Sequence, residues 1–257
     1  MKTFSFLVRR IFYGFFMMLS VIIIGFFLLH FAPGDIVDTL AGEMGGITPE
    51  MRLELKQHYG LDRTLPAQLL TYLANVFQGD LGYSFYLKQP VLNLVLDRFP
   101  ATALLFVLAL VVSTVVGTVM GNLASIKPNG FFSAAVTVFS LAGYSAPAFW
   151  VGILLLLAFA VYIPLFPISG MISIRLATEG ASLWAQSANI AKHLVLPLTT
   201  LTVIYIAEYS RLARASMIEV LRTDYIRTAR VKGLPEHVVI FKHALRNAVL
   251  PIITVAG

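Results

Sequence analysis

Formal charge divides this chain into long apolar runs and two polar segments. After Lys2, Arg9 and Arg10, no Asp, Glu, Lys or Arg occurs from Ile11 to Gly34. None occurs between Arg98 and Lys127, or between Lys127 and Arg175. A shorter charge-free run covers His193 to Ala207, and a last apolar run begins at Ala248 and reaches Gly257. A helix needs about 20 apolar residues to cross the hydrocarbon of a bilayer. The first two runs therefore predict spans over 11–31 and about 99–123. The third contains Pro147 and ends in Pro164 and Pro167, and predicts one long span over 131–162 followed by an extended segment. The fourth reaches full length, 193–210, by including Glu208 and Tyr209, and a fifth span starts at 248.

The segment 32–97 has punctuation of its own. Thr48-Pro49-Glu50 reads as a helix start, with a capping hydroxyl, proline in the first turn and an acid near the positive end of the dipole. Gly60 ends that helix. Pro66 starts another, with Leu69, Leu70, Leu73, Val76 and Phe77 on its apolar face and Gly79 as its stop. Pro90 opens a third, short and apolar. These helices are expected at the membrane interface or capping an outer mouth, either packed on the spans or docking an external partner.

The other polar segment, 217–247, reads as a helix over Met217–Lys232, a break at Gly233-Leu234-Pro235, and a second helix. Ile218, Leu221 and Tyr225 lie on one side of the first. Arg227 and Arg230, three apart, share a face. Lys242 and Arg246 are one turn apart on the second. Attraction to anionic lipid accounts for the charge. The break between two amphipathic stretches also suits a lever pressed into a partner's groove.

Composition fits a chain whose solvent is mostly lipid. Hydrophobic residues make up 58% and charged residues 12%, against about 45–50% and about 25% in soluble domains. The mean hydropathy is +0.82. Zero cysteines exclude a disulfide framework, a thiolate metal site and a cysteine nucleophile. The net charge of +6 is a topology signal rather than a nucleic-acid footprint. The basic N-terminus and the Arg/Lys-rich segment after the fourth span are expected inside. The loop carrying Asp35, Asp38, Glu43, Glu50, Glu54, Asp62, Asp80 and Asp97 is expected outside. The Lys127 loop then falls inside and the Arg175–Lys192 loop outside. The first run is too long for a signal peptide and lacks its small-residue cleavage site, so it is expected to be a retained span.

Candidate chemistry is sparse. Gly117 and Gly121 form a small-xxx-small pair that allows close helix approach, expected within the chain rather than between subunits. Glu208 is expected near the end of its span, paired with Arg211 or facing a pathway. Gly143-Tyr144-Ser145 resembles the serine motif of intramembrane proteases, but that chemistry needs a nearby histidine base. His30, His58, His193, His237 and His243 fall near span ends or in loops. His237 and His243, six apart, have the wrong spacing for a helical metal pair. A catalytic role is therefore excluded, as is a metal site. A self-sufficient secondary transporter would show repeated halves and mid-depth ionisable groups, and neither is visible.

Three stretches of the polar segment carry a resemblance. They are Glu208-Tyr209-Ser210-Arg211-Leu212-Ala213-Arg214-Ala215-Ser216-Met217, Asp224-Tyr225-Ile226-Arg227-Thr228-Ala229-Arg230-Val231-Lys232-Gly233-Leu234, and His243-Ala244-Leu245-Arg246-Asn247-Ala248-Val249-Leu250-Pro251. They closely resemble permeases of dipeptide, oligopeptide and nickel ABC importers. Phe31-Ala32-Pro33-Gly34-Asp35, Tyr59-Gly60-Leu61-Asp62-Arg63, Gly79-Asp80-Leu81-Gly82, Ala146-Pro147-Ala148-Phe149-Trp150 and Pro167-Ile168-Ser169-Gly170 fit in order.

The resemblance implies an all-α polytopic bundle of the type I ABC importer kind, with residues 98–257 as its core. It implies a bacterial inner-membrane subunit working with a second permease, two cytoplasmic ATPases and an external solute-binding protein. This chain is then expected to bind no cofactor, with ATP and Mg on the ATPases. The family's coupling loop, an EAA pattern followed by glycine, corresponds to Arg227-Thr228-Ala229 and Gly233, without the Glu of that pattern. Tyr225, Arg227, Thr228, Ala229, Arg230, Lys232, Gly233 and Leu234 are the expected coupling residues, with Arg227, Arg230 and Lys232 contacting the ATPase. The cargo is expected to be a peptide, or alternatively nickel or another metal complex. The family has six spans, so the chain is expected to stop about ten residues into its fifth and to transport poorly as it stands.

Overall fold

The computed structural model describes residues 2–31, 37, 48–58, 60–84, 86–173 and 182–257. Asp35, Asp38, Glu43, Tyr59 and Arg175 lie outside the described residues. The chain forms two compact units, Met1–Asp97 and Arg98–Gly257.

In the first unit, α1 (Lys2–His30) is one uninterrupted apolar helix. In α2 (Pro49–His58), the Thr48 hydroxyl accepts from the Met51 N–H at 3.3 Å, as its cap position requires. Gly60 and Leu61 donate back to the carbonyls of Gln57 and Lys56 and close that helix. Helix α3 (Leu65–Phe77) has Pro66 in its first turn, where a missing N–H costs no helix bond. Leu69, Leu73 and Val76 are half-buried, but Leu70 and Phe77 remain exposed. Phe77 stacks on Phe15 with ring centres 6.1 Å apart, and Tyr72 meets Phe26 at 5.7 Å. The two partners are eleven residues apart, one toward each end of the apolar run of α1. Helix α3 therefore packs along the first span instead of capping it, because aromatic edges on both helices match there. A two-residue ladder, β1 (Tyr83–Ser84) against β2 (Gln89–Pro90), follows.

Pro90 does not open a short helix of its own. It closes β2, and α4 runs from Val91 to Ile126, 36 residues, through Pro100. One proline removes one ladder bond, and a long apolar helix tolerates that loss. Thr102 Oγ1 adds a bond to the Arg98 carbonyl at 3.1 Å beside it.

The expected single span over 131–162 is two helices, α5 (Phe131–Ser145) and α6 (Ala148–Tyr162), bent by 100°. Pro147 holds Ala146 in an extended conformation, φ −82° and ψ 126°, and has no N–H to continue the ladder. The last part of α6, Leu157–Tyr162, is π-helical.

Helix α7 (Leu183–Leu221) has 39 residues and contains the whole expected fourth span. It is capped by Ser182, whose side chain accepts from the Ala185 N–H at 3.3 Å. The expected helix over Met217–Lys232 is split. Its first five residues end α7, and α8 (Asp224–Val231) begins after a turn at Arg222-Thr223. Helix α9 (Glu236–Ala248), π-helical over Val239–Ala244, meets α10 (Leu250–Ala256) at a 41° bend. Among the described residues, α1, α4 and α7 are each long and apolar enough to cross a membrane, and each bent pair adds a further crossing if it spans as a unit.

The packing of α4, α5 and α7 depends on small residues. Helix α4 buries Ala109, Ser113, Gly117, Gly121, Asn122, Ala124 and Ser125, and α5 buries Ser133, Val136, Ser140 and Gly143. In lipid, exposed leucine costs nothing, so helices associate through close backbone approach and hydrogen bonds. Ser140 Oγ lies 2.9 Å from Ser210 Oγ. Arg214 Nε donates to Ser133 Oγ at 2.8 Å and its NH2 to the Pro128 carbonyl at 3.1 Å.

Candidate functional site

The segment after α7 folds into a knot with an aliphatic centre. Ile226 and Ala229 of α8 are buried with Met217 of α7 and Val239, Ile240, Ala244 and Ala248 of α9. Ile226 and Ala229 are three apart, and Ile240, Ala244 and Ala248 are four apart, which puts each set on one face, with Val239 adjoining. Val220, Leu221 and Leu245 pack around the rim. Helix α8 is thereby anchored by its inner face, and its outer face is left to carry polar groups.

The end of α8 is built on Gly233. Its φ of +76° is the left-handed conformation that glycine adopts without strain. The Gly233 N–H donates to the Arg230 carbonyl at 2.9 Å and the Leu234 N–H to the Ala229 carbonyl at 3.4 Å. That pair of bonds is the Schellman closure of a helix. A Cβ at Gly233 would meet nothing within 4 Å, so conformation and not space requires the glycine. Pro235 then restarts the chain into α9.

Across this turn Arg230 and Glu236 form a two-pronged pair. Nε donates to Oε2 at 3.2 Å and NH2 to Oε1 at 2.7 Å. These hydrogen bonds, with the attraction of the guanidinium charge, hold the Glu236 carboxyl below the usual carboxylate range and push Arg230 up. Arg227 lies 3.5 Å from Asp224, one turn back on its own helix, with both side chains well exposed. The Tyr225 hydroxyl accepts from Asn247 Nδ2 at 2.7 Å. Thr228 Oγ1 turns back to the Asp224 carbonyl at 2.9 Å.

The expected coupling residues therefore divide. Tyr225, Arg227, Thr228, Arg230, Lys232, Gly233 and Leu234 are on the exposed side. Ala229 is not: it is 7% exposed and belongs to the aliphatic centre, where it can seat α8 but not touch another protein. The sequence reading passed over Val231, 84% exposed at the end of α8. The spacing of Val231 from Ile226 and Ala229 puts it on the outside of α8. Glu236 and Asn247 were passed over too, since separations of six and 22 residues follow no helical rule.

Elsewhere, Gly117 and Gly121 face α7. A Cβ at Gly117 would come 2.6 Å from Tyr209 Cβ, and one at Gly121 would collide with the Ser210 carbonyl and lie 2.7 Å from Ala213 Cβ. Glu208 and Arg211 do not pair. Arg211 sits over the Tyr144 ring, 5.0 Å from its centre, while Glu208 lines a cavity of about 260 Å³ with Phe106, Tyr205, Tyr209 and Val255. Helix α7 continues eleven residues past the expected end of the fourth span (210 to 221), so Glu208 is not at a helix terminus, and successive turns aim the two side chains at different neighbours. Among the described residues no group of three His, Asp or Glu could hold a metal ion.

Similarity to known proteins covers the same ground. The family described as binding-protein-dependent transport system inner membrane component matches residues 113–257, and the N-terminal domain of such membrane components matches residues 3–106. The dipeptide transport system permease protein DppB of Escherichia coli (strain K12) is 38% identical, over 93% of this chain and 74% of that protein. The di/tripeptide transport system permease protein DppB of Pseudomonas aeruginosa (strain UCBPP-PA14) is 37% identical, over 98% and 78%. The probable peptide ABC transporter permease protein y4tP of Sinorhizobium fredii is 39% identical, over 90% and 71%.

Proposed function

The chain belongs to the inner membrane components of binding-protein-dependent transport systems, and from that membership we propose that it is a permease subunit of an ATP-driven peptide importer. The relatives reported above are named for peptides, which favours peptides over nickel or another metal complex. In this reading the chain is a multi-pass protein of the bacterial inner membrane, with its basic N-terminus in the cytoplasm. It works with a second permease, two cytoplasmic ATPases that bind and hydrolyse ATP with Mg, and an external solute-binding protein.

The observation that carries the mechanism is the anchoring of α8. Ile226 and Ala229 lock it to Met217 of α7 and to Ala244 and Ala248 of α9. The exposed Arg227, Val231 and Lys232 are left for the ATPase. When ATP closes the ATPase pair, α8 is displaced as a body, and the shared aliphatic centre passes the displacement to α7 and α9. Packed interfaces have discrete arrangements, so a small shift at one end converts into rocking of the spans.

Gly233→Pro tests this in the assembled transporter. Proline fixes φ near −65° and removes the N–H that closes α8. Membrane insertion is expected to survive while ATP hydrolysis no longer drives uptake in reconstituted vesicles. Unchanged peptide uptake per ATP would refute the reading.

A further inference from the structure

The aliphatic centre holds α8 by one face only. Such contact resists separation but is non-directional, and it leaves a helix of eight residues free to roll or slide over its seat. Two polar contacts remove that freedom. One is near the start of α8, where the Tyr225 hydroxyl accepts from Asn247. The other is near its end, where Arg230 forks onto Glu236. Five residues separate the two points, about 7.5 Å along the axis. Both reach the same element, α9, at its first residue and in its last turn. A guanidinium fork fixes direction as well as distance. Arg227 makes no such tie, since its partner Asp224 is on its own helix.

We propose that Glu236 and Asn247 are positioning residues that clip the two ends of α8 to α9, and that Arg230 serves this internal clip rather than the ATPase contact. The proposal rests on the coupling role given above to α8. It divides the basic face: Arg227 and Lys232 point to the partner, whereas two of the guanidinium nitrogens of Arg230 are already used. With both clips in place, α8, α9 and the bend into α10 move as one piece. With either clip open, α8 rolls under load and part of its displacement is lost before it reaches the spans.

The test uses the assembled transporter in vesicles and reads peptide taken up per ATP hydrolysed. Glu236→Gln keeps the shape and removes the charge, and is expected to lower this ratio about two- to fivefold, with the assembly intact. Tyr225→Phe is expected to lower it less. The exchange Arg230→Glu with Glu236→Arg is expected to restore the ratio, because the clip needs opposite charges and not a particular order. That rescue shows that the pair and not either residue alone is required, and an intact assembly with an unchanged melting temperature near neutral pH in the exchange variant separates positioning from a loss of fold. Three outcomes would overturn the proposal: an unchanged ratio in Glu236→Gln, a failed rescue, or loss of ATPase binding in Arg230→Gln with Glu236→Gln unaffected. The broader coupling reading fails separately, if Gly233→Pro also leaves the ratio unchanged.

Discussion

The α4–α5–α7 bundle and the α7–α8–α9 knot are held by opposite means. In the knot the buried groups include large aliphatic ones: Met217, Ile226, Val239 and Ile240 close on one another, with Ala229, Ala244 and Ala248, as in a soluble core. In the bundle they are small: Gly117 and Gly121 against Tyr209 and Ser210, Gly143 against Ala207, Ser140 against Ser210. Meanwhile large residues such as Phe106, Val111, Val115 and Val119 face outward. The difference follows from the solvent. Water drives apolar area inward. Lipid tails are as apolar as leucine and drive nothing, so contact comes from backbones that approach closely.

That contrast sets the order of expected effects. Gly121→Val should be the most damaging, because the new side chain collides with the Ser210 carbonyl and Ala213 of a helix that cannot move away alone. Overpacking typically costs about 1–3 kcal/mol, and backbone contact puts this case at the upper end or above. Gly25→Val is the control, since a Cβ there meets nothing within 4 Å. Thermal unfolding of the detergent-solubilised transporter should separate the two, and equal melting temperatures would remove the packing argument.

Ile226→Ala opens a hole in the knot and should cost about 2–5 kcal/mol locally. Its effect should appear as faster hydrogen exchange over 217–248, with α4 and α5 protected as before. Exchange that speeds up equally in all of them would mean that knot and bundle form one cooperative unit.

The smallest effect is that of acid on the rim of the knot. Arg230 holds the Glu236 carboxyl low, mainly by hydrogen bonding. A lowered folded pKa gives stability that is present above the unfolded value, about 4.3, and lost as pH falls through the folded one. Both side chains are about half exposed, so the whole contribution stays below about 1 kcal/mol. The difference in melting temperature between wild type and Glu236→Gln should shrink on going from neutral pH to below the carboxylate range. A constant difference would contradict the assignment.

The same contrast explains what could be read from the residues. Charge-free runs mark α1, α4 and α7 because charge is expensive in hydrocarbon wherever it falls. Proline was harder to read. Pro100 lies inside α4 and Pro197 inside α7, yet Pro147 bends its run by 100°. Ala146 before Pro147 is extended, whereas the residues before Pro100 and Pro197 stay helical, and residue type alone does not tell the three prolines apart. In the knot, the Gly233 stop was legible from residue type, but the inward face was not: Ile218, Leu221 and Tyr225 were read as one side, whereas Ile226 is buried and Tyr225 exposed. The turn at Arg222-Thr223 was not, since helical periodicity runs through it. The ties from Arg230 to Glu236 and from Tyr225 to Asn247 join residues that only the tertiary fold brings together.

Helix α1 carries a different consequence. Its 29 residues make a rod about 43 Å long, against a hydrocarbon layer of about 30 Å. Its apolar part, Ile11–His30, accounts for about 30 Å of that length. The surplus is the end that bears Arg9 and Arg10. None of its most apolar window is buried by protein. Bilayer thickness therefore bears directly on its tilt, and the rings of α3 that rest on Phe15 and Phe26 tilt with it.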